Sequence, residues 1–283
     1  MPVQRRQVVD VVEPIYVMEG AGVRLKRSMP TQTLDYLDPF LLLDHFGSDN
    51  PKDYLAGFPM HPHRGIETVT YMLAGRVDHK DSLGNAGTIG AGDVQWMTSG
   101  RGIMHEEMPM PVDGQMAGFQ LWVNLPAKLK MTKPRYQEIA ARLIPQVVRA
   151  DGSNVSVIAG VVDGVRGPVT EIAADPTYLD VTVPAHGSFV QPVANGHMAF
   201  AYVFEGQGVF DVQQTSVAAP RLVVLGDGDE VRVTTAHEHV RFLLVSGNPL
   251  REPIARYGPF VMNTRAEIMQ ALRDLDNGTF VTP

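Results

Sequence analysis

The segment ETVTYMLAG, residues 67–75, is a short run of β-branched and aromatic residues that ends at a glycine. Such runs, bounded by turn-forming residues, are typical of β-strands. Five more segments share this character: GFQLWVNLP (118–126), VSVIAGVV (155–162), YLDVTVP (178–184), AFAYVFEG (199–206) and RFLLVSG (241–247). Gly-Asn and Asp-Gly pairs lie between them and indicate turns. Many short strands at regular spacing predict an all-β sandwich or barrel.

Composition restricts the class of protein. Of the 283 residues, 44% are hydrophobic and 19% are charged, whereas disordered chains combine low apolar content with high charge. The 24 Lys and Arg residues against 31 Asp and Glu leave a net charge of −7. That charge opposes direct binding to nucleic acid or to acidic membranes. We therefore expect a globular protein with no direct nucleic-acid partner.

The sequence predicts neither a membrane span nor a secretory signal. The longest unbroken apolar run, residues 198–204, has seven residues, whereas a spanning helix needs about 20. The segment MPVQRRQVVDVVEP carries charges where a secretory signal has its apolar centre, so we expect a cytoplasmic location. The chain has no Cys, and any metal ion must therefore be bound by His, Asp or Glu.

One helix is predicted near the end of the chain. Thr264 and Glu267 have the spacing of a capping box, apolar residues follow at helical spacing up to Leu275, and Gly278 is a stop signal. We expect this short helix to pack its apolar stripe against a barrel.

A faint internal repeat indicates two modules. A strand ending at Gly75 and a Gly-x-Gly-Asp turn around Gly92 recur at Gly206 and Gly228, with offsets of 131 and 136 residues. Repeats of this kind decide the architecture of a chain. We expect two β-barrel domains, residues 1–140 and 141–283, with a crossover at about residues 128–152.

Histidines in the first half form the candidate metal site. His61 and His63 are two residues apart, and His105 and Glu107 repeat that spacing about forty residues later. In an extended chain, residues i and i+2 point to one face with Cα atoms about 6.6 Å apart, so that two imidazoles can share one ion. Pro62 cannot donate to a strand ladder, which confines its strand to a sheet edge or a barrel mouth. If the two strands meet, all four side chains converge.

The ligand types limit the choice of metal. A lone His-x-His motif lies more often on a surface than at a metal ion, and the second pair at the same spacing favours the metal site. Three imidazoles and one carboxylate, without sulfur, suit Fe(II), Mn, Co, Ni or Zn. Four protein ligands on an octahedral ion would leave two positions for a substrate.

The chain also resembles a known family over nearly its whole length. The motifs that carry this resemblance are DPFLLLDHFG (38–47), FPMHPHRGIETVTYMLAG (58–75), GDVQWMTSGRGIMHEEMP (92–109), QLWVNLP (120–126), and PLREPI with GPFVMNT within 249–264. They closely resemble the pirin family, whose members are bicupins. The resemblance implies two cupin barrels in tandem with a short C-terminal helix, and one iron ion bound by His61, His63, His105 and Glu107. Many cupins use the acid at the position of Glu67 as a ligand, and the pirin pattern leaves it a structural role.

The resemblance further implies a function. Characterised pirins point to a metal-dependent dioxygenase of the flavonol-cleaving, quercetin 2,3-dioxygenase type, acting on a small aromatic substrate and dioxygen. Glu107 would then be both a ligand and the catalytic base. The alternative is a non-enzymatic, iron-binding regulator that senses redox state and acts through a protein partner, because pirin-like proteins have been linked to transcriptional control and to metabolic-enzyme binding.

The second module is expected to lack a metal. The positions equivalent to His61 and His63 are Pro192 and Ala194, which cannot bind a metal through their side chains. His237-Glu238-His239 is expected to be a solvated loop.

Other polar and aromatic residues of the first half receive structural interpretations. His79 lies in a segment, residues 78–82, that is expected to form a polar hairpin turn. Trp96 and Met97 are expected in the core under the site. Arg64 and Arg101 flank the ligand motifs and could either orient an anionic substrate or form structural salt bridges.

Overall fold

The computed structural model describes residues 3–110, 115–211 and 213–281. In that part of the chain, 25 strands and one α-helix form. The strands before the crossover are β1 Val8–Val12, β2 Ile15–Glu19, β3 Val23–Met29, β4 Phe40–Ser48, β5 Phe58–His63, β6 Ile66–Ala74, β7 Arg76–Asp81, β8 Ala86–Gly90, β9 Val94–Thr98, β10 Ile103–Met110 and β11 Met116–Asn124. The others are β12 Arg135–Ile139, β13 Gln146–Val148, β14 Asn154–Ala159, β15 Val161–Val162, β16 Val165–Arg166, β17 Thr177–Val183, β18 Ser188–Pro192, β19 Met198–Val209, β20 Ser216–Ala218, β21 Arg221–Leu225, β22 Glu230–Thr234, β23 Val240–Gly247, β24 Ala255–Tyr257 and β25 Phe260–Met262. The helix α1 spans Arg265–Asp276.

The chain divides into two compact modules whose segments alternate along the sequence. The site module comprises Ile15–Tyr36, Phe40–Ala141 and the described residues from Leu250 onward. The second module comprises the described residues up to Pro14, Leu37–Pro39 and Arg142–Pro249. The chain passes from one module to the other between Ala141 and Arg142, next to the boundary expected between residues 1–140 and 141–283. The two ends of the chain differ from that expectation. The N-terminal segment belongs to the second module, and the C-terminal segment belongs to the site module.

Strand pairing and a buried arginine explain why the start of the chain belongs to the second module. β1 pairs antiparallel with β21, with Val8 opposite Leu225. Arg6 is 1% exposed, and its guanidinium donates hydrogen bonds to the carbonyls of His197 and Gly226, both at 2.9 Å. A buried charge needs such partners, and the second module provides them.

The site module contains two sheets. One has seven strands in the order β12-β9-β6-β11-β4-β3-β2, and the other has four in the order β5-β10-β7-β8. Because side chains alternate along each strand, Leu25, Met72 and Met116 contribute to one buried apolar cluster. β5 is an edge strand of its sheet, as the proline at position 62 predicts.

The second module is built around an apolar interior. Ten strands form its main sheet, with the path β1-β21-β19-β23-β17-β14-β13 and three more strands paired beside it. Twenty buried apolar residues, among them Phe189, Phe210 and Phe242, form one continuous core cluster. Side chains therefore fill the interior of this barrel.

The predicted helix and fold class are confirmed. Thr264 caps α1, and the reciprocal bonds of the capping box with Glu267 are both present. Ile268 and Ala271 are buried with Phe260 in a cluster of the site module. No helix in the described ranges is long and apolar enough to span a membrane. The cytoplasmic location stays a prediction.

Candidate metal centre

Three imidazoles meet on the neighbouring strands β5 and β10. The strands pair antiparallel, with His105 opposite His61 and Ile103 opposite His63. The register shifts between His105 and Glu107, where β5 contains one extra residue. His105 thus comes together with His61 and His63 because their strands are hydrogen-bonded neighbours in one sheet, whereas Glu107 lies beyond the register shift and outside this group of three.

The separations between the imidazoles suit a metal site. Ligand nitrogens of His61, His63 and His105 all lie within 4.8 Å of one another. The Nε2 atoms of His61 and His63 are 3.1 Å apart, and the ring centroids of His61 and His105 are 4.3 Å apart. Two nitrogen ligands at a right angle, each about 2.1 Å from an ion, would be ~3.0 Å apart. The cluster therefore has the dimensions of a coordination site.

The protonation of the three rings also suits a ligand role. The Nδ1 of His61 lies 2.9 Å from the carbonyl oxygen of Pro59. This nitrogen therefore carries the hydrogen, and Nε2 keeps its lone pair. Burial lowers the pKa of all three imidazoles, and for His63 and His105 the neighbouring rings lower the pKa further. Neutral imidazoles are the form that binds metals.

Buried ring nitrogens without hydrogen-bond partners indicate whether a metal ion fits between the imidazoles. Both ring nitrogens of His105 are buried and form no hydrogen bond with the described residues. An unsatisfied buried polar group costs about 1–3 kcal/mol. A cation between the rings would be coordinated by one nitrogen of each imidazole, and imidazole nitrogens suit several divalent ions. The residues present fit one metal ion.

Glu107 lines the same cavity as His61 and His63. Its Oε1 accepts a hydrogen bond from Thr70 Oγ1 at 3.1 Å. Burial raises the pKa of Glu107 to about 7, and the hydrogen bond from Thr70 opposes this shift. Near neutral pH the carboxyl group can therefore both accept and release a proton.

Thr70 links Glu107 to Gln120. Thr70 Oγ1 lies 2.7 Å from Gln120 Oε1, in addition to its contact with Glu107. A hydroxyl group carries one hydrogen and can donate to only one of these oxygens at a time. When Glu107 is protonated it can donate to Thr70, which donates to Gln120. When Glu107 is ionised, Thr70 donates to it instead.

Glu67 lies away from the imidazoles. It is three residues from Thr70 on β6, so the two side chains occupy opposite faces of the strand. Its Oε1 accepts a hydrogen bond from Thr98 Oγ1 at 2.8 Å, and Glu67 is absent from the cavity lining among the described residues. These contacts agree with the structural role expected for Glu67.

A cavity of about 550 Å³ adjoins the imidazoles. Its volume lies in the usual range for small-molecule sites. Apolar and aromatic side chains form much of the wall, including Leu25, Phe46 and Trp122. The lining residues that are exposed, and so mark the mouth, are Gly20, Ala21, Pro59, Arg256 and Gly258. A flat aromatic molecule could enter there and reach the imidazoles.

The hairpin expected at residues 78–82 is present between β7 and β8, but its turn begins at residue 82, and the placement of His79 in that turn is wrong. Arg76–Asp81 is the strand β7, in which His79 is buried opposite Glu107. The His79 ring stacks on Tyr136 at 4.7 Å and lies 5.4 Å from the His105 ring, measured between centroids. The alternation of Val77, His79 and Asp81 was the feature of the sequence that indicated this strand, because residues two apart share one strand face.

Arg64 forms a structural salt bridge. Its Nη1 donates to Asp274 Oδ2 at 2.7 Å, and its guanidinium lies over the Phe280 ring, 4.4 Å from the centroid. Neither Arg64 nor Arg101 lines the cavity among the described residues. Trp96 and Met97 are fully buried, as expected of core residues.

A buried lysine joins the backbone beside the site to the C-terminal segment. Lys130 is 1% exposed. Its Nζ donates to the carbonyl oxygens of Gly65 at 3.0 Å and Val261 at 2.9 Å, and to Asn124 Oδ1 at 2.7 Å. Burial lowers the pKa of Lys130 to about 8. An ammonium group has three hydrogens, and here each one has an acceptor.

The described residues of the second module contain no equivalent cluster. Among the described residues, the three imidazoles of the site module are the one group of potential ligands close enough to share an ion. Pro192 and Ala194 are exposed, and His239 pairs with Glu205 at 2.9 Å. The metal-binding geometry therefore lies in the site module.

Together the fold and the site define a class. Two β-barrel modules in one chain, with a three-histidine cluster that fits one metal ion in one of them, are the features of a bicupin metalloprotein.

Comparisons with known proteins give the family. The family model described as Pirin matches residues 22–123, and that of the Pirin C-terminal cupin domain matches residues 178–281. A pirin-like protein of Caulobacter vibrioides is 48% identical over 99% of this chain and 100% of its own length. Human pirin is 43% identical over 92% of this chain and 88% of its own. A crystal structure of quercetin 2,3-dioxygenase from Acinetobacter baumannii superposes with a TM-score of 0.89 at 36% identity, covering 98% of this chain and 99% of that one. The chain belongs to the pirin family.

Proposed function

We propose that this protein is a metal-dependent dioxygenase that cleaves flavonols, of the quercetin 2,3-dioxygenase type. The observation that carries the proposal is that the buried carboxyl group of Glu107 lines the same cavity as His61 and His63, two of the three clustered imidazoles. The similarity to the Acinetobacter baumannii enzyme supports this choice of reaction.

The proposed ligands are His61, His63, His105 and Glu107. Fe(II) is the expected ion, and Mn, Co, Ni and Zn also suit this donor set. When bound, the ion would acidify a coordinated substrate hydroxyl and supply the redox chemistry that dioxygen requires. The exposed mouth and apolar walls would orient the flavonol toward this end of the cavity.

Glu107 is the proposed base. Burial raises the pKa of Glu107 to about 7 in the metal-free protein, and a bound cation would keep the carboxyl group ionised, which is the form that can accept a proton. Thr70 holds Oε1, and Oε2 forms no hydrogen bond with the described residues. Glu107 would take the proton of the flavonol 3-hydroxyl and return it to the product carboxylate. One dioxygen adds both of its atoms to the product, two ring carbon–carbon bonds break, and the carbon between them leaves as carbon monoxide.

The test combines metal analysis with oxygen uptake. Protein purified without oxygen should contain about one metal ion per chain and should consume dioxygen when quercetin is added. His61→Ala and His63→Ala should lose both the metal and the uptake, while His237→Ala, an exposed histidine in the second module, should retain them.

A second variant separates the base from the metal site. Glu107→Gln, reloaded with metal, should lose turnover, and near-normal quercetin cleavage by this variant would refute the base assignment. An iron-loaded wild-type protein that consumes no dioxygen with quercetin would count against the enzyme and favour the redox-sensing regulator.

A further inference from the structure

A row of polar side chains crosses the cavity wall at one level of the barrel. Strand register places Arg27 opposite Asp44, Asp44 opposite Gln120, and Gln120 opposite Thr70. All four residues line the cavity, and Thr70 contacts Glu107. We call Arg27, Asp44, Gln120, Thr70 and Glu107 together the polar row. Adjacent strands are about 4.8 Å apart, so the row extends ~14 Å from β3 to β6.

The hydrogen bonds within the row leave groups available for a ligand. Arg27 donates to both carboxylate oxygens of Asp44, at 2.8 and 2.7 Å, and to Glu19 at 2.6 Å. A carboxylate has about four lone-pair positions, so Asp44 can accept more hydrogen bonds. Gln120 accepts the hydrogen bond from Thr70 at Oε1, and its amide nitrogen forms no hydrogen bond with the described residues.

Folding stability alone is a weak explanation for the buried ion pair between Arg27 and Asp44. Asp44 is 4% exposed, and its neighbours on the same face of β4 are Leu42 and Phe46. An ion pair in such surroundings loses hydration, and apolar residues of similar volume often stabilise a protein equally well. A satisfied charge pair that faces a ligand cavity does give directional recognition.

We propose that Gln120 and Asp44 bind a second polar edge of the substrate, so that the cavity selects polyhydroxylated aromatic molecules over those with a single hydroxyl. This inference rests on the proposed function, since it names the substrate class of the same site. Gln120 donates to the oxygen of an additional phenolic hydroxyl, and Asp44 accepts a hydrogen bond from another phenolic hydroxyl about one strand spacing away. Leu25, Phe46 and Trp122 pack against the faces of the ring.

The test measures binding without turnover. Ni²⁺-loaded protein, free of oxygen, is titrated with 3-hydroxyflavone, which lacks additional hydroxyls, and with quercetin, which has four more. Fluorescence quenching gives the two dissociation constants. A hydrogen bond to a charged group such as the Asp44 carboxylate contributes about 1.5–3 kcal/mol, so wild type should bind quercetin at least about tenfold more tightly than 3-hydroxyflavone.

Two variants and a matched control locate the origin of this preference. Gln120→Met and Asp44→Asn should each reduce the ratio of the two dissociation constants several-fold, mainly by weakening quercetin binding. Asp180→Asn is the control, because Asp180 is also buried and paired with an arginine, Arg241, through both carboxylate oxygens at 3.0 and 2.6 Å. It belongs to the second module and should leave the ratio unchanged.

The outcomes separate this inference from the proposed function. A wild-type ratio near one, or a ratio that both Gln120→Met and Asp44→Asn leave intact, overturns the inference even if quercetin is cleaved. A preference that depends on the polar row supports it even if no flavonol is cleaved, in which case the dioxygenase proposal alone fails. If Asp44→Asn does not fold, Gln120→Met decides the result.

Discussion

Adding Ni²⁺ to the metal-free protein should release protons, and Glu107 should be their source. Burial raises the pKa of Glu107 to about 7, and a carboxyl group must lose its proton before it binds a cation. The pKa values of His61, His63 and His105 are lowered by burial, so these rings are already neutral near pH 7. They contribute few protons, and the release reports on the carboxyl group.

The magnitude follows from the pKa. With a value of about 7, Glu107 holds ~0.9 proton at pH 6, ~0.5 at pH 7 and ~0.1 at pH 8. Metal binding should release these amounts. Because the proton competes with the cation, affinity should rise with pH below 7 and level off above 8, with close to a tenfold increase per pH unit at the acidic end.

Titration calorimetry measures this release. Each titration is performed at pH 6, 7 and 8 in two non-coordinating buffers of different ionisation enthalpy, and the difference in heat gives the number of protons. Glu107→Gln should release almost none at any of the three pH values. Glu106→Gln is the matched control, because residue 106 lies on the opposite face of β10, and it should behave like wild type. A wild-type release below ~0.2 at pH 6 would contradict the raised pKa of Glu107, and a larger release that Glu107→Gln matches would refute Glu107 as the ligand that loses the proton.

Two further predictions concern stability. The raised pKa means that the folded, metal-free protein binds a proton more tightly than the unfolded chain does, so ionisation of Glu107 should reduce stability by about 2–3 kcal/mol as pH rises from 5 to 8. Urea unfolding should show this loss in wild type but not in Glu107→Gln, and parallel pH profiles of the two proteins would contradict it. Lys130→Met removes the donor from three buried oxygens and should cost about 3 kcal/mol or more in unfolding free energy. The exposed control Lys128→Met should change stability by less than about 0.5 kcal/mol, and equal effects of the two substitutions would show that the buried hydrogen bonds contribute little.

The pattern of residues over short stretches of sequence was sufficient to predict the secondary structure and part of the candidate metal site. Strands such as Ile66–Ala74 and the helix Arg265–Asp276 were predictable, because alternation, turn residues and capping act within a few residues. The i, i+2 spacing of His61 and His63 placed both side chains on one strand face, and Pro62 confined that strand to an edge. These properties depend on covalent geometry and on the missing N–H of proline.

Other features of the site depend on contacts between distant segments. His79 was expected in a polar turn, yet it is buried beside Tyr136, a residue far away in the chain. The link from Glu107 through Thr70 to Gln120 requires three strands to adopt one register. No single segment contains that information.

The sequence by itself determined the strand-rich composition, the terminal helix, the absence of thiol ligands and the pairs of candidate ligands, since each follows from residue type and local spacing. Only the tertiary structure decided that β5 and β10 are neighbours and that Glu107 is buried enough for its pKa to reach about 7. It also decided that the N-terminal segment belongs to the second module and the C-terminal segment to the site module. The physical reason is that burial and strand register arise from long-range pairing, in which each segment's environment is supplied by residues remote in the chain.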